Sequence, residues 1–479
     1  MVSCSLLELI NNKAVPINFP TRIPYQVTSS ALSPTSANIP TSENIPGQYL
    51  DYLAQTGDTL PAVAAHFNTI ETELWAANPG MPLDATTLRP GSALKIPFID
   101  LPGWGSPYKI IPDEYYVNGP LAINFKTSEF VAQYPGWLKD FRFYAGGQTR
   151  SGAEIVDLVA LNFSINPQLL LAVLEYQTQA LSNPQPPTSV YTLGYADKQH
   201  EGLYLQLVWV ANMLNNGYYS WRSGQTISFE KPDSTLEIPY PWQNAASVAL
   251  QTYFIASPLS DYAAATGPDG VAATFMNLFG NPWEINEPLI PENLRQPDLL
   301  LPFQAGESWS LTGGPHSAWG TLEPFAAVDF APPPHLVGCQ PSDYWVIAVA
   351  DGVIARSEIG ILLLDLDGDG DERTGWNIFY LHVASNDRAA AGTHVHAGDK
   401  LGHPSCEGRG AVANGTHIHI ARKYNGEWIP ADGTLAFNLE GWVAHAGIHQ
   451  YMGTLTRGSE TITACVGCSN SASQISAGE

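Results

Sequence analysis

Cationic residues are scarce in this sequence: 21 Lys and Arg stand against 45 Asp and Glu, a formal charge of −24. Nucleic-acid backbones and anionic membrane surfaces are held through Lys and Arg, so the imbalance argues against both as partners. Long apolar runs are missing too. No stretch of about 18 apolar residues occurs, which excludes a transmembrane helix. Cysteine is rare, five in 479 residues, too few for a disulfide scaffold. Cys339 and Cys406 can pair. Cys465 and Cys468 form a lone C-x-x-C, read as a local disulfide or free thiols rather than half a zinc site, and Cys4 is left over.

What is present is globular. The chain is 44% hydrophobic and 11% aromatic, and its length suggests two to four domains. Low charge content with much Ser, Thr, Asn, Gly, Pro and Trp has the composition of a secreted protein. The first residues, MVSCSLLELINNKAVPINFP, lack a basic start followed by an unbroken apolar core, so no signal peptide is visible. Either export does not occur or the signal lies upstream. VSC resembles the end of a lipoprotein signal, which would make Cys4 a lipid acceptor. Residues 1–47 read as an N-terminal segment and linker, because 14–47 are rich in Pro, Ser, Thr and Asn without a period.

Residues 48–98 read as strand, helix, helix, strand. Asp58 or Thr59 can cap the first helix, and Asn68 with Glu71 resembles a capping box for the second. The marks GDTL, AAHF, LWAANPG, LRPG and LKIP resemble the LysM family, whose modules bind N-acetylglucosamine-containing glycans. The resemblance implies a groove lined by Gly57, Asp58, Thr59, Asn78, Pro79, Gly80 and Met81; taken singly, these residues can equally serve only to shape two turns.

Residues 99–300 read as a mostly α-helical middle domain. Ser151 and Glu154 form a capping box, Asn166 and Pro167 open a second helix, and a third apolar helix is expected to stop at Gly217. NPQLLLAVLEYQT resembles a helix of lysozyme-like transglycosylases, with Gln177 at the position of that family's catalytic glutamate and Thr178 at its serine. Glutamine cannot protonate a leaving group, and Glu175 falls nearly opposite on the helix, so a silent or spacer domain is expected rather than a muramidase.

From about residue 301 short alternating runs with Gly, Pro and Asp turns signal an antiparallel all-β region. WVIAVADGVIARS reads as a hairpin turning at DG, GILLLDLDGDGDERTGWNIFYLHV as a second, and GTHIHIARKYNGEW as a third. In the last, His417 and His419 share one face of a strand. GGPH, AAVDFA, ADGVI, FYLHVA, VHAGDKLG and GTHIHIA, in this order, resemble the lysostaphin-type (LytM, duplicated hybrid motif) zinc metalloendopeptidases, which cut peptidoglycan peptides. The resemblance implies zinc ligands His316, Asp329 and His419, with His417 as general base and His382 as oxyanion stabiliser.

Two departures stand out. The family's usual first ligand lies four residues before the aspartate, where this chain has Phe325; His316 lies ahead of the longer segment SAWGTLEPFAA, and His335 is a further candidate. Loss of that ligand would leave a non-catalytic, peptidoglycan-binding scaffold. A second His-x-His, His394 and His396, is expected to be a solvated turn. Asp365, Asp367 and Asp369 begin like a calcium loop, but the twelfth position is Trp376, so an acidic turn is the other reading.

The expected protein is a modular cell-wall hydrolase: linker 1–47, LysM 48–98, helical domain 99–300, peptidase domain 301–450 and tail 451–479. Its partners would be the glycan strands and the stem or bridge peptides of peptidoglycan, at the cell envelope or outside the cell.

Overall fold

The computed structural model describes residues 49–82, 84–97, 103–225, 227–231, 234–285, 287–333, 338–408, 413 and 415–478. Cys4, the linker reading and His335 lie outside them.

The N-terminal described element, β1 (Tyr49–Leu53), pairs antiparallel with β2 (Ala93–Pro97), with Tyr52 opposite Leu94. Between them lie α1 (Leu60–His66) and α2 (Glu71–Ala77). Alternate strand residues and one stripe of each helix bury Tyr52, Val63, Phe67, Leu74 and Ile96 in a core of their own. Thr59 caps α1 by accepting from the Ala62 N–H. The expected box at Asn68 does not form. Asn68 has φ +52, a left-handed turn that Asn tolerates, and Ile70 opens α2 without a side-chain cap.

The middle region contains α3 (Thr127–Val131), α4 (Gly152–Phe163), α5 (Pro167–Thr178), α6 (Leu203–Arg222), α7 (Ala245–Ala256), α8 (Tyr262–Thr266) and α9 (Val271–Phe279). It is less uniformly helical than expected. Two small hairpins, β3 (Arg142–Ala145) with β4 (Gln148–Ser151) and β5 (Phe229–Glu230) with β6 (Leu236–Glu237), sit among irregular connections. Ser151 and Glu154 make both bonds of the capping box, and Asn166 accepts from the Gln168 N–H. Gly217 does not end α6. It lies where α6 meets α7, and a Cβ there would approach the Ala249 Cα to 2.8 Å and collide with Thr252. The glycine serves close packing inside the helix, and its conformational cost is outweighed there.

The C-terminal region is built on one large antiparallel sheet. Its order is β13 (His394–Val395), β10 (Gly352–Glu358), β11 (Gly360–Asp365), β12 (Trp376–Val383), β15 (Ile418–Tyr424), β8 (Phe325–Ala331), β7 (Ser308–Ser317) and β21 (Gln474–Ser476). β16 (Glu427–Trp428) folds back on β15, as GTHIHIARKYNGEW predicts. The DG hairpin is not formed: β9 (Val346–Ile347) pairs with β14 (Lys400–Gly402), so the chain changes sheets at that turn. Residues 451–478 are not a loose tail. β19 (Gly453–Arg457) and β20 (Glu460–Thr463) extend β17 (Asn438–Leu439) and β18 (Trp442–Ala446) into a four-stranded sheet, and β21 closes the edge beside β7.

Strand alternation sends the two faces of the large sheet into different cores. Val328, Leu362, Leu364, Ile378, Tyr380 and Ile420 face the small sheets. Ile361, Leu363, Phe379, Leu381 and Ala421 face the helices and share one core with Leu214, Tyr218 and Tyr219 of α6. All described residues accordingly belong to a single compact unit. Parting helices from sheet would re-expose large apolar side chains worth about 1.5–3 kcal/mol each. At the same junction Arg222 pairs with Glu427 at 3.0 Å and Asp113 at 3.3 Å, all three buried.

Candidate metal centre

Three adjacent strands deliver the central side chains. β15 pairs with β8 so that His419 lies directly opposite Asp329, which puts both on one face. β7 pairs with the other edge of β8, and register shifts between Leu311 and Ser317 set His316 opposite Ala327, diagonal to Asp329. The long segment between His316 and Asp329 is therefore a hairpin that returns the histidine to the aspartate. Gly313 lies opposite Asp329, where a Cβ would come within 2.7 Å of its Oδ2.

The inward atoms are all lone pairs. His316 donates its Nδ1 hydrogen to the Gly314 carbonyl at 2.8 Å, and His419 donates its Nε2 hydrogen to the Ala318 carbonyl at 3.1 Å. A neutral imidazole has one N–H, so His316 Nε2 and His419 Nδ1 face each other as acceptors, 3.0 Å apart. Each is 3.2 Å from Asp329 Oδ1, a buried oxygen with no hydrogen-bond partner. Three acceptors this close repel one another, and the group could hold a metal ion among them. Tetrahedral zinc with bonds of about 2.0–2.1 Å places neighbouring donors about 3.3 Å apart, so the donor set fits that ion. Backbone carbonyls fixing the outer nitrogens are the usual support for histidine ligands. Burial pushes the Asp329 carboxyl up, but His316 and His417, when they carry a proton, outweigh it and hold it well below the usual carboxylate range. Burial also lowers the His419 imidazole.

His417 and His382 stand beside this trio. His417 donates from Nδ1 to the Gly415 carbonyl at 2.8 Å, and its Nε2 is 3.8 Å from Asp329 Oδ2. His382 donates from Nδ1 to the Glu407 carbonyl at 2.8 Å, leaving Nε2 free, with its ring centroid 4.5 Å from that of His417. Burial, then the neighbouring His417 and His419, hold the His382 imidazole down to about 3. His382 sits at φ +70, uncommon for a side chain of this size, at the end of β12. The Cys339–Cys406 disulfide is formed next to Glu407, whose carbonyl orients His382. Cys465 and Cys468 are also joined.

A groove of about 1140 Å³ opens over these residues, with Tyr204, Val208 and Asn212 of α6 on one side and His316, His382 and His417 on the other. Sequence reasoning missed Tyr451. Its ring stacks on His316 at 4.1 Å between centroids, and its carbonyl accepts from the Gly314 N–H at 2.7 Å. No local pattern marks it, because its place depends on a strand pairing far along the chain.

The other candidates do not converge here. His394 and His396 are exposed, with His396 Nδ1 3.5 Å from Asp351. Asp365, Asp367 and Asp369 bring carboxylates near one another, but Asp365 accepts from the Asp367 and Gly370 N–H groups and Asp369 from the Asp371 N–H and Thr374 hydroxyl. Those bonds explain the turn, and nothing supports calcium. Gln177 bonds Ser257 and Ser260, Thr178 bonds the Leu174 carbonyl, and Glu175 accepts from the Leu181 and Ser182 N–H groups. All three are occupied in fastening the end of α5.

In the β-α-α-β module, Gly57 faces the Arg222 guanidinium and Thr59 caps α1. Asp58 is buried, accepting from Tyr52 Oη at 2.6 Å and the Gln55 N–H at 2.7 Å, and burial pushes its carboxyl up to about 6. Asn78 bonds both backbone groups of Lys95 at 2.8 Å. Pro79 and Gly80 are exposed, and Met81 is half-buried against the module's core. Thr56, Thr86 and Thr87 bond the chain's own segment 290–294.

Comparisons with known proteins agree with this layout. Residues 52–97 match the family model "LysM domain" and residues 109–293 match "LasA, N-terminal domain". Among solved structures, a novel M23 metalloprotease, pseudoalterin, from the deep sea is 21% identical, over 35% of this chain and 96% of that one, with a TM-score of 0.30. A zinc-containing peptidase from Vibrio cholerae is 18% identical, over 31% of this chain and 42% of that one, with a TM-score of 0.21; the match thus spans under half of that relative. The catalytic domain of lysostaphin from Staphylococcus simulans is 20% identical, over 26% of this chain and 89% of that one, with a TM-score of 0.19. No curated protein matched the chain. The two family models thus give this chain a LysM domain at residues 52–97 and, at 109–293, a region that matches the N-terminal domain of LasA.

Proposed function

We propose that the protein is a zinc-dependent endopeptidase that hydrolyses cross-link or stem peptides of bacterial peptidoglycan. The observation that carries this reading is the meeting of two imidazole lone pairs, from His316 and His419, with Asp329 Oδ1, an oxygen that has no hydrogen donor, in the lining of an open groove. Zinc held there would supply Lewis acidity, polarising an amide carbonyl and acidifying a water. His417 presents Nε2 as a lone pair toward the same space and takes the proton of the attacking water. His382 also presents a lone pair, because the Glu407 carbonyl claims its hydrogen; it can donate to an oxyanion or leaving amine only after taking on the water's proton from the neighbouring His417. The hydrophobic wall of α6 and the stacked Tyr451 limit water and help orient a peptide.

The LysM module at 48–98 is proposed to hold the wall through its exposed Pro79–Gly80 edge, since Gly57, Asp58 and Thr59 are engaged inside the protein. Residues 99–300 act as a scaffold, and the peptidase region runs from 301 through the strands of the last thirty residues. Two disulfides suit an oxidising compartment, which supports a place in the cell envelope or outside the cell.

Digestion of purified peptidoglycan, with mass spectrometry of the new ends, tests the reading. An endopeptidase frees amino groups, and a chelator stops it. New reducing or anhydro-sugar ends would point instead to the helical region, and no new ends from folded, zinc-loaded protein on walls of several bridge chemistries would make it a binding scaffold.

A further inference from the structure

The segment that separates His316 from Asp329 reaches out of the sheet to α6. Thr321 donates its N–H to Asn212 Oδ1 at 2.9 Å and its hydroxyl to the same oxygen at 3.3 Å. Asn212 Nδ2 donates to the Val208 carbonyl at 2.9 Å, which fixes the amide so that its oxygen faces the loop. Gly320, at φ +87, lies so close to Asn212 that a Cβ would collide with its Oδ1. Just beyond α6, Gln225 Nε2 donates to Glu323 Oε1 at 2.6 Å, while Glu323 Oε2 accepts from the Phe325 N–H at 2.7 Å. Inside the loop, the Ala318 N–H donates to the Pro324 carbonyl at 2.9 Å and Ser317 Oγ to the Leu322 carbonyl at 2.6 Å. The Ala318 carbonyl is the group that accepts the His419 Nε2 hydrogen.

From this chain of contacts we propose that Asn212 and Gln225 are positioning residues for the metal centre: they hold the 318–324 loop so that the Ala318 carbonyl fixes the tautomer and direction of the ligand His419. The inference rests on the zinc reading above. It assigns a purpose to the lengthened His316–Asp329 spacing, which a short hairpin would not need. It also makes the helical region part of the metal site's support rather than a bystander.

The test is zinc affinity of the full chain, measured by competition with a chromogenic chelator. Asn212→Leu is expected to raise the dissociation constant about 10-fold, the low end for loss of an outer partner of a ligand. Asn212→Asp keeps an acceptor oxygen for Thr321 and stays within about 3-fold of the parent protein, an order-of-magnitude expectation on the same basis. Gln225→Ala, at an exposed position, weakens zinc binding by a few-fold without loss of folding. A role confined to fold stability would lower the melting temperature without separating the Leu and Asp variants in zinc affinity. Equal affinity in the parent and Asn212→Leu, or equal loss in Leu and Asp, overturns the inference. Should Asn212→Leu fail to fold, unchanged affinity in Gln225→Ala overturns it. A parent protein that binds no zinc removes the metal reading itself, and this inference with it.

Discussion

His394–His396 and His417–His419 have the same spacing and sit in the same half of the molecule, yet among the described residues only the second pair contributes to the candidate metal centre, through His419 in the donor group and His417 beside it. His394 begins a two-residue edge strand and His396 lies just past its end; both side chains are in solvent. His417 leads into, and His419 lies within, a central strand flanked by β12 and β8. There His419 meets Asp329 across the ladder, and backbone carbonyls take the outer hydrogen of each ring. Spacing places two imidazoles on one face; strand neighbours decide what they face. In an edge strand the neighbour is water.

The largest contrast is in zinc. Asp329→Ala or His419→Ala should reduce bound zinc from about one ion per chain to near none, because two donors hold the ion far more weakly than three. His394→Ala and His396→Ala should leave it unchanged. Metal analysis of the four purified variants checks this, and zinc loss from the edge pair would end the distinction between the two pairs. Within the central pair, His417→Ala should keep zinc and lose about 10²-fold or more in peptide cleavage. Equal zinc loss in His417→Ala and His419→Ala would mean the two roles are reversed.

A smaller effect tests the backbone that makes room for the site. In Gly313→Ala the new Cβ lies 2.7 Å from Asp329 Oδ2, so the carboxylate must shift. Zinc affinity should fall roughly 10-fold, the scale of disturbing a ligand's support. The smallest effect comes from a histidine in neither pair. His66 stacks on Trp221 at 3.6 Å and bonds its carbonyl at 2.9 Å, and burial, with Arg222 nearby, lowers its imidazole to about 3. Its folded value lies below its unfolded one, so the stability it lends is present above about 6.5 and is lost as pH falls from there toward 3. Unfolding across that range should show the parent losing on the order of 1–2 kcal/mol relative to His66→Phe, since the half-buried ring keeps part of its hydration. A constant difference between the two would show that His66 is not held neutral by its surroundings.

The residues of the candidate site were named through the ordered motifs that resemble the lysostaphin-type family. Strand period adds that GTHIHIA puts two imidazoles on one face, and the fold does bring the carboxylate of AAVDFA opposite one of them. GDTL through LKIP likewise spelled out a compact unit whose β-α-α-β order is found, and the reciprocal bonds of Ser151 and Glu154 followed from their spacing. Local reading failed where two meanings share one residue type. Gly217 can stop a helix or admit a neighbouring one, and only α7 packed against it selects the second. Asn68 can cap a helix or take a left-handed turn, and the turn was taken.

The sequence by itself determined the donor types, their order along the chain and the faces they occupy, because hydrogen-bonding chemistry and strand period are properties of a few consecutive residues. Tertiary structure alone decided how His316, across a long hairpin, is brought to Asp329, and that Tyr451 stacks on it from a segment read as a tail. It alone decided that the helices share a core with the sheet and that LysM loop residues face Arg222 rather than solvent. Those outcomes depend on which apolar surfaces are buried against each other. That burial is non-directional and sums over contacts distant in sequence, so no short stretch encodes it.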